Sequence, residues 1–311
     1  MTGKYVTETL RADTDGIARA AAILRVGGLV AVPTETVYGL AARADSAEAV
    51  ARIYAAKGRP SFNPLIVHVA SLEEAERLAV FGEAAHDLAA RHWPGPLTLV
   101  LPRREGNGLA EQVTAGLPTV ALRCPAHPAM RALLERSGLT LAAPSANRSG
   151  SVSPTSAAHV LATLEGRIDA VIDDGECAAG IESTIVAVRE DGRVEELRPG
   201  PIAVAPRDFP PESGSVEAPG QLASHYSPGK PMRLDATEGA SGDFLIGFGR
   251  IAGDCTLSAT GDLEEAASRL YACLHQAAGS ENPRIAVAPV PEEGIGRAIN
   301  DRLRRAATPP G

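Results

Sequence analysis

The sequence predicts an α/β protein made of a large domain, a linker and a smaller domain. Short apolar runs, which are typical of buried strands, alternate with amphipathic helical stretches along most of the chain. The pair Asp191-Gly192 lies between two apolar runs and predicts a hairpin, so the large sheet contains antiparallel strands. A stretch rich in proline and glycine then predicts a linker. The predicted bounds are 1–202 for the large domain, 203–231 for the linker and 232–311 for the small domain.

Composition narrows the function classes. The chain has 311 residues, 44% of them apolar, which suffices for real hydrophobic cores. A net charge of −8 and only 4% aromatic residues do not favour a strong, sequence-independent nucleic-acid binder. The N-terminus has no signal-peptide pattern and no apolar run is long enough to span a bilayer, so we expect a cytoplasmic protein without membrane contact.

The cysteine pattern argues against a zinc site, since no pair has the C-x-x-C spacing. Four scattered cysteines in a chain of this length predict reduced thiols. They are Cys124, Cys177, Cys255 and Cys273.

The first predicted elements lead to a polar loop. An amphipathic helix at 14–26 precedes a buried strand at 29–32, and the loop at 33–40 follows. This loop carries two threonines, a glutamate and a tyrosine, side chains typical of a ligand loop that follows a strand. The alternative is turn chemistry, in which the threonine and glutamate side chains only cap the next element of the chain.

The stretch at 57–69 carries the densest set of polar side chains. A helix capped by Asp45 is predicted to end at Lys57, because Gly58 suits a left-handed helix terminus. Arg59 follows at once, and the strand predicted at 65–69 contains His68.

Two interpretations of this stretch compete. Cations at a helix C-terminus suit the helix dipole, and a single histidine in a strand is often a core residue. However, Lys57 and Arg59 stand one residue apart, with Asn63 and His68 downstream, which favours a compact site for a polyphosphate.

Two further strands of the large domain end in polar residues. The strand at 119–123 ends in Arg123, which is either a solvated rim residue or a fork for a carboxylate or phosphate. The strand at 139–143 runs into the ligand-loop residues 144–150. Ser145 is not in a G-x-S-x-G elbow, so a hydrolase nucleophile is a poor interpretation.

The rest of the chain adds one unusual feature. Thr155 is predicted to cap a helix, and Asp173-Asp174 is either a divalent-ion site or, more typically, part of a turn. The linker contains His225-Tyr226, which a plain spacer does not need, so we expect this pair to contact something. The small domain shows two strands and two helices, and neither a Walker A sequence nor a correctly spaced dinucleotide fingerprint occurs.

Taken in order, these motifs resemble the YrdC-like family, and within it the two-domain branch that makes threonylcarbamoyl-AMP. The resemblance covers almost the whole chain. The matching stretches are 33–40, 57–69, 93–101, 121–128, 143–150, 180–186 and 197–201, with 219–228 and 294–306 matching the two-domain branch.

The resemblance implies a reaction and a fold. L-threonine, bicarbonate and ATP, with Mg²⁺ expected to accompany ATP, combine to threonylcarbamoyl-adenylate and pyrophosphate, the first step of N6-threonylcarbamoyladenosine formation in tRNA. A tRNA threonylcarbamoyl transferase complex would then take the product. The implied fold is a twisted open mixed sheet with a wide basic cavity, followed by a small Rossmann-like domain.

The resemblance also implies site residues, by motif. ATP is assigned to Lys57, Arg59, Asn63, Thr119, Ser145, Asn147, Ser153, Arg198 and Tyr226, the last with His225 in a linker that folds over the nucleotide. Threonine is assigned to Thr36, His68, Arg123, Ala143 and Ser183. No metal ligand is assigned.

Three alternatives stay open at this point. One is an RNA-binding or ribosome-maturation protein of the same fold, against which the acidic charge argues. Another is a carbamoyl-transfer module of the hydrogenase-maturation type, although zinc-finger cysteines and acylphosphatase segments are missing from the sequence. The third is a small-molecule-binding protein without chemistry.

Overall fold

The large domain is built on a mixed sheet. The computed structural model describes residues 6–204, 217–220 and 224–309. The strands are β1 (Glu8–Arg11), β2 (Val30–Val32), β3 (Gly39–Arg43), β4 (Ile66–His68), β5 (Leu97–Pro102), β6 (Thr119–Arg123), β7 (Leu141–Ala142), β8 (Ala170–Asp173), β9 (Thr184–Val188) and β10 (Val194–Arg198). Their order in the 10-stranded sheet is β1-β8-β2-β3-β7-β4-β6-β5-β9-β10. The sheet combines parallel pairs such as β4–β6 with antiparallel ones such as β5–β6, which confirms the mixed sheet.

Helices cover both faces of this sheet. They are α1 (Thr14–Arg25), α2 (Ala47–Lys57), α3 (Leu72–Leu78), α4 (Glu83–His92), α5 (Glu111–Thr114), α6 (Pro128–Ser137) and α7 (Ala157–Leu164). Because side chains alternate along a strand, Val30 and Val32 pack under α1 and α6, whereas Ala31 belongs to the core formed with α2, α3, α4 and α7. The result is a layered α/β domain whose polar groups collect at the strand ends.

The small domain is a four-stranded parallel sheet in the order β11-β14-β12-β13. The strands are β11 (Met232–Arg233), β12 (Asp243–Gly247), β13 (Cys255–Thr256) and β14 (Arg284–Val287). Two helices, α8 (Leu263–Gly279) and α9 (Gly296–Ala307), pack against it. This confirms the predicted smaller α/β unit.

The prediction of four reduced thiols is wrong. Cys255 and Cys273 form a disulfide, 18 residues apart in sequence. The packing of α8 on the small sheet brings their Cα atoms to 5.9 Å, which sequence spacing does not reveal. Of the cysteines in the described ranges, Cys124 and Cys177 are free and buried.

Two predicted helix caps are also wrong, each by one residue. The N-cap of α2 is Ser46, because the Asp45 carboxylate is held by Arg43 at 2.6 and 2.7 Å. The N-cap of α7 is Ser156, whose hydroxyl accepts from His159 N, while Thr155 is the residue before it. The C-terminus of α2 is as predicted, with Gly58 in the left-handed region at φ 61°.

Strands β1 and β3 escaped the sequence analysis. The sequence of β3 is Gly-Leu-Ala-Ala-Arg, which lacks the β-branched and aromatic residues that mark strands. Pairing with β2 and β7 on either side decides its conformation. The last two residues of the loop predicted at 33–40, Gly39 and Leu40, therefore belong to strand β3.

The linker is described in part. Pro206, Pro210 and Pro211, on which its prediction rested, lie outside the described residues. The described pieces, 217–220 and 224–231, run beside the large domain near the ends of its central strands. The bounds predicted for the domains and the linker stay predictions. No helix in the described ranges is long and apolar enough to cross a membrane.

Candidate active site

A cavity lies at the ends of the central strands. Strands β4 and β6 are parallel and in register, so His68 and Arg123 end side by side. The enclosed space around them is about 50 Å³, within an open region of about 530 Å³ that includes solvent at the mouth. All the residues assigned to threonine line it, namely Thr36, His68, Arg123, Ala143 and Ser183. Of those assigned to ATP, it is lined by Arg59, Ser145, Arg198 and Tyr226.

Arg123 is held in one orientation. Its Nη1 donates to Thr36 Oγ1 at 2.8 Å and its Nε to the Gly95 carbonyl at 3.3 Å. Its Nη2 lies 2.7 Å from Glu35 Oε1 in an ion pair that lacks hydrogen-bond geometry. Of the two alternatives for Arg123, the solvated rim residue is therefore wrong, since its side chain is only 4% exposed.

His68 is buried and neutral. Burial, and then the neighbouring Arg123, lower the pKa of His68 to about 3. Its Nδ1 has no hydrogen-bond partner among the described residues. Within the described ranges, the structure therefore leaves one ring nitrogen of a buried, neutral imidazole without a partner beside the cavity.

The loop at 33–40 makes a local turn, a long-range cap contact and part of the cavity wall. The Thr34 hydroxyl donates to the Val37 carbonyl at 2.6 Å, and Glu35 accepts from Ala126 N and His127 N at the start of α6. These are turn and cap contacts. The cap that Glu35 makes is on a helix distant in sequence, not on the next element of the chain. Thr36 lines the cavity, and its role toward a ligand stays a prediction.

Lys57 and Arg59 are buried and do not decorate a solvated helix end. Lys57 Nζ donates to the carbonyls of Ser145 and Asn147, at 2.5 Å each, and is behind the cavity wall. Arg59 donates to the carbonyls of Asn63 and Pro64, at 3.2 and 2.9 Å. Burial and the neighbouring Arg59 hold the pKa of Lys57 well below its ordinary value, and burial lowers that of Arg59 to about 10.

A third buried cation, Arg198, completes this side of the cavity. Its guanidinium donates to the Ser183 carbonyl at 3.1 and 2.9 Å and to the Pro219 carbonyl at 3.3 Å. Within the described ranges, no carboxylate oxygen lies within 4.0 Å of the cationic groups of Lys57, Arg59 or Arg198. The partners of these cations are carbonyl and hydroxyl dipoles, and Glu182, which also lines the cavity, is paired with Arg302. Positive charge is therefore left uncompensated, and this side of the cavity favours an anion.

The other residues assigned to ATP lie around this cation cluster or away from it. Asn147 and Ser153 are buried behind the wall, where Ser153 Oγ donates to Glu182 Oε1 at 2.6 Å. Asn63 is buried, and its Oδ1 has no partner among the described residues. Thr119 begins β6 opposite Pro102, at the far end of the strand from Arg123, so the structure does not bring it to this cavity.

The linker closes the cavity with His225 and Tyr226. Tyr226 has a left-handed backbone, φ 65°, which is costly for a residue with a side chain. Its side chain is 1% exposed and its hydroxyl has no partner within the described part of the chain. Backbone bonds hold the segment on both sides, from His225 N to Arg305 O at 3.2 Å and from Ser227 N to Gly150 O at 2.7 Å.

Sequence reasoning missed the carboxylate that joins the two domains. Glu182 is buried and accepts from Ser153, from Tyr271 Oη at 2.8 Å and from Arg302 Nε at 3.0 Å. Burial pushes the pKa of Glu182 up, but the charges of Arg302 and Arg198 and the hydrogen bonds outweigh it and lower the pKa to about 2. One signal was present: Arg302 stands in the apolar stripe of α9, between Ile299 and Leu303.

The described residues offer no cluster suited to a resident metal ion. No group of three or more His, Cys, Asp or Glu side chains comes together in them. Asp173 Oδ1 accepts from Gly175 N at 3.2 Å, so the turn alternative for Asp173-Asp174 describes the contact that is present.

Comparison with known proteins identifies relatives of both domains. The Sua5–YciO–YrdC family model, described as telomere recombination, matches residues 22–200. A second family model, described as threonylcarbamoyl-AMP synthase C-terminal domain, matches residues 181–308.

Individual relatives match over nearly their full length. Threonylcarbamoyl-AMP synthase of Bacillus subtilis is 40% identical, over 97% of this chain and 96% of the relative. The Pyrococcus abyssi enzyme of the same name is 40% identical over 93% of each chain. The crystal structure of P. abyssi Sua5 complexed with L-threonine superimposes with a TM-score of 0.85, at 38% identity and 97% coverage of both chains.

Proposed function

This chain belongs to the Sua5–YciO–YrdC family, with both domains of its threonylcarbamoyl-AMP synthases, and we propose that it joins L-threonine, bicarbonate and ATP into L-threonylcarbamoyladenylate. It is an enzyme of the nucleotidyltransferase type. The product is the intermediate of the first step of N6-threonylcarbamoyladenosine formation in tRNA. The observation that carries this proposal is a single cavity with two chemically different sides, one with uncompensated cations and one with a paired arginine and a neutral histidine.

The chemistry needs no enzyme nucleophile. Threonine nitrogen and bicarbonate condense to a carbamate with loss of water. A carbamate oxygen then bonds to the α-phosphorus of ATP while the bond to pyrophosphate breaks. The protein's task is to position the reactants and to stabilise the charge that builds on the phosphates.

Each side of the cavity suits one reactant. We assign the phosphates to Arg59 and Arg198, with Lys57 holding the turn that carries Ser145 and Asn147. We assign the threonine carboxylate to Arg123 and a polar group of threonine to His68, both of which line the cavity. Neutral His68 can accept a hydrogen bond without adding charge beside the carbamate.

Mg²⁺ fits this site only as part of the nucleotide complex. A resident ion needs several oxygen ligands from the protein, and the described residues present no carboxylate cluster at the cavity. Triphosphate oxygens would supply most of the ligands, and the ion would reduce repulsion among the phosphates during transfer.

The linker pair and the fate of the product belong to the same proposal. Carbamates and acyl adenylates hydrolyse in water, so Tyr226 and His225, packed over the cavity, would serve as a lid. The labile product would pass in the cytoplasm to a tRNA threonylcarbamoyl transferase complex. Direct, strong binding to nucleic acid is not part of the proposal, since the net charge is −8.

The test is pyrophosphate release from ATP, with threonine and bicarbonate each omitted in turn. We expect release to require both, and Arg59→Met to lower kcat/KM for ATP by about a hundredfold or more, as for loss of a phosphate cation. Arg91→Met is the control, because Arg91 is an exposed arginine of α4 that does not line the cavity. Release that ignores threonine would contradict the substrate assignment, and salt-sensitive RNA binding without ATP would favour the RNA-binding alternative.

A further inference from the structure

The buried cations of the cavity differ in whether they have a carboxylate partner, a difference that the proposed reaction does not require. Arg123 has a carboxylate partner, Glu35, at 2.7 Å. Arg59 and Arg198, like Lys57 behind them, contact carbonyl groups, and no carboxylate of the described residues lies within 4.0 Å. Glu182 also lines the cavity, but its charge is matched by Arg302 at 3.0 Å. The threonine side of the cavity is therefore close to neutral, whereas the other side carries net positive charge.

Glu35 is a fixed and permanent negative charge. Its Oε2 accepts from Ala126 N at 3.1 Å and from His127 N at 3.2 Å, at the start of α6. Burial pushes the pKa of Glu35 up, but Arg123 and the backbone N–H groups outweigh it and lower the pKa to about 2. The carboxylate is therefore ionised at any pH at which the enzyme would work.

Glu35 compensates the charge of Arg123 directly. Arg123 Nη2 lies 2.7 Å from Glu35 Oε1, well within ion-pair distance. Glu35 itself stands behind the wall formed by Thr34 and Thr36 and does not line the cavity. Arg123 therefore lines the cavity with its charge compensated, so its net attraction for anions is reduced.

This difference matters because the reactants differ in charge. Threonine is a zwitterion with no net charge, whereas ATP and pyrophosphate are polyanions that would also fit a bare arginine. We propose that Glu35 is a specificity-determining residue that keeps polyphosphate out of the threonine side of the cavity. This inference rests on the proposed function for the identity of the two ligands, but the charge asymmetry itself does not.

The direct test counts pyrophosphate sites by isothermal titration calorimetry on the full-length protein. Wild type should bind one pyrophosphate, on the Arg59 and Arg198 side. Glu35→Gln keeps the shape and removes the charge, so it should bind a second pyrophosphate that added threonine displaces. The matched control is Glu74→Gln, since Glu74 also accepts a backbone N–H near a helix start, from Ala70 at 3.0 Å, and is away from the cavity.

Kinetics give an independent reading. In wild type, pyrophosphate should compete with ATP and not with threonine. In Glu35→Gln it should compete with both, and its inhibition constant against threonine should fall by about tenfold or more, the effect of one charge-assisted contact. Glu35→Asp, which retains the charge, should keep the wild-type pattern.

Several outcomes would overturn the inference. A single pyrophosphate site in Glu35→Gln, with only a raised KM for threonine, would mean that Glu35 merely orients Arg123. Competition between pyrophosphate and threonine in wild type would refute it without any variant, should Glu35→Gln not fold. If wild type released no threonine-dependent pyrophosphate, the proposed function would fail, while the site count would still decide the role of Glu35.

Discussion

Replacing Arg302 by methionine should uncouple the two domains, and the cost can be worked out from its contacts. Arg302 is fully buried, and its Nε donates to Glu182 Oε2 at 3.0 Å. Its guanidinium also lies 5.6 Å from the centre of the Tyr226 ring, a cation–π contact. The substitution leaves a buried carboxylate without its cation, which costs about 3–5 kcal/mol. Ser153 and Tyr271 still donate to Glu182, so we expect the lower part of that range.

The assay is urea unfolding followed by circular dichroism, with a second variant that separates charge from packing. Arg302→Met together with Glu182→Gln removes both charges, so it should recover a large part of the lost free energy of unfolding. Arg304→Met is the control on the same helix, because Arg304 and its partner Glu292 are both exposed and such pairs contribute about 0–1 kcal/mol. A loss below about 1 kcal/mol in Arg302→Met, or a double variant no more stable than the single one, would refute the reasoning.

Two further predictions concern acid stability and the lid. Folding lowers the pKa of Glu182 from 4.5 to about 2, so between these pH values the unfolded state binds more protons than the folded state. Ionised Glu182 therefore contributes about 3 kcal/mol to the free energy of unfolding. This contribution is complete above pH 4.5 and disappears as the pH falls to 2. Between pH 4.5 and 2, the free energy of unfolding should therefore fall less steeply with pH in Glu182→Gln than in wild type. An equal slope in the two proteins would contradict the lowered pKa of Glu182. Gly220 has φ +86°, and a Cβ there would lie 2.9 Å from Tyr226 Oη. Gly220→Ala should therefore displace the proposed lid at a cost of about 1–2 kcal/mol of strain, which corresponds to a KM for ATP raised by about tenfold. Gly229→Ala, with φ +77° and no atom within 4 Å of the added Cβ, is the control, and an equal effect there would mean that backbone strain alone is responsible.

The comparison of prediction and structure shows which kind of information is local. Lys57 was predicted at a helix end because Gly58 permits the left-handed terminus, and that is where it lies. The strand at 119–123 was predicted to end in Arg123, and the strand at 65–69 was predicted to contain His68. The parallel pairing of β4 and β6 brings both side chains to one cavity. Helix and strand patterns depend on residues a few positions apart in the chain. They can therefore be predicted from a single sequence.

The caps show the limit of local reasoning. Asp45 and Ser46 are both good N-cap residues, and the sequence offered no means of choosing between them. Arg43 decides the choice by binding the aspartate. The strand β3 is similar, since its neighbours in the sheet decide a conformation that Gly, Leu and Ala do not prefer.

By itself, the sequence determined the α/β class, the two-part organisation, the family and most of the residues that line the cavity. Only the tertiary structure decided how their charges are balanced. Lys57 finds its acceptors 88 and 90 residues away, and Glu182 meets Arg302 at a separation of 120. Whether a buried cation is paired with a carboxylate or with carbonyl dipoles depends on such distant partners. The physical reason is that charge compensation acts through space, whereas periodicity and capping act along the chain.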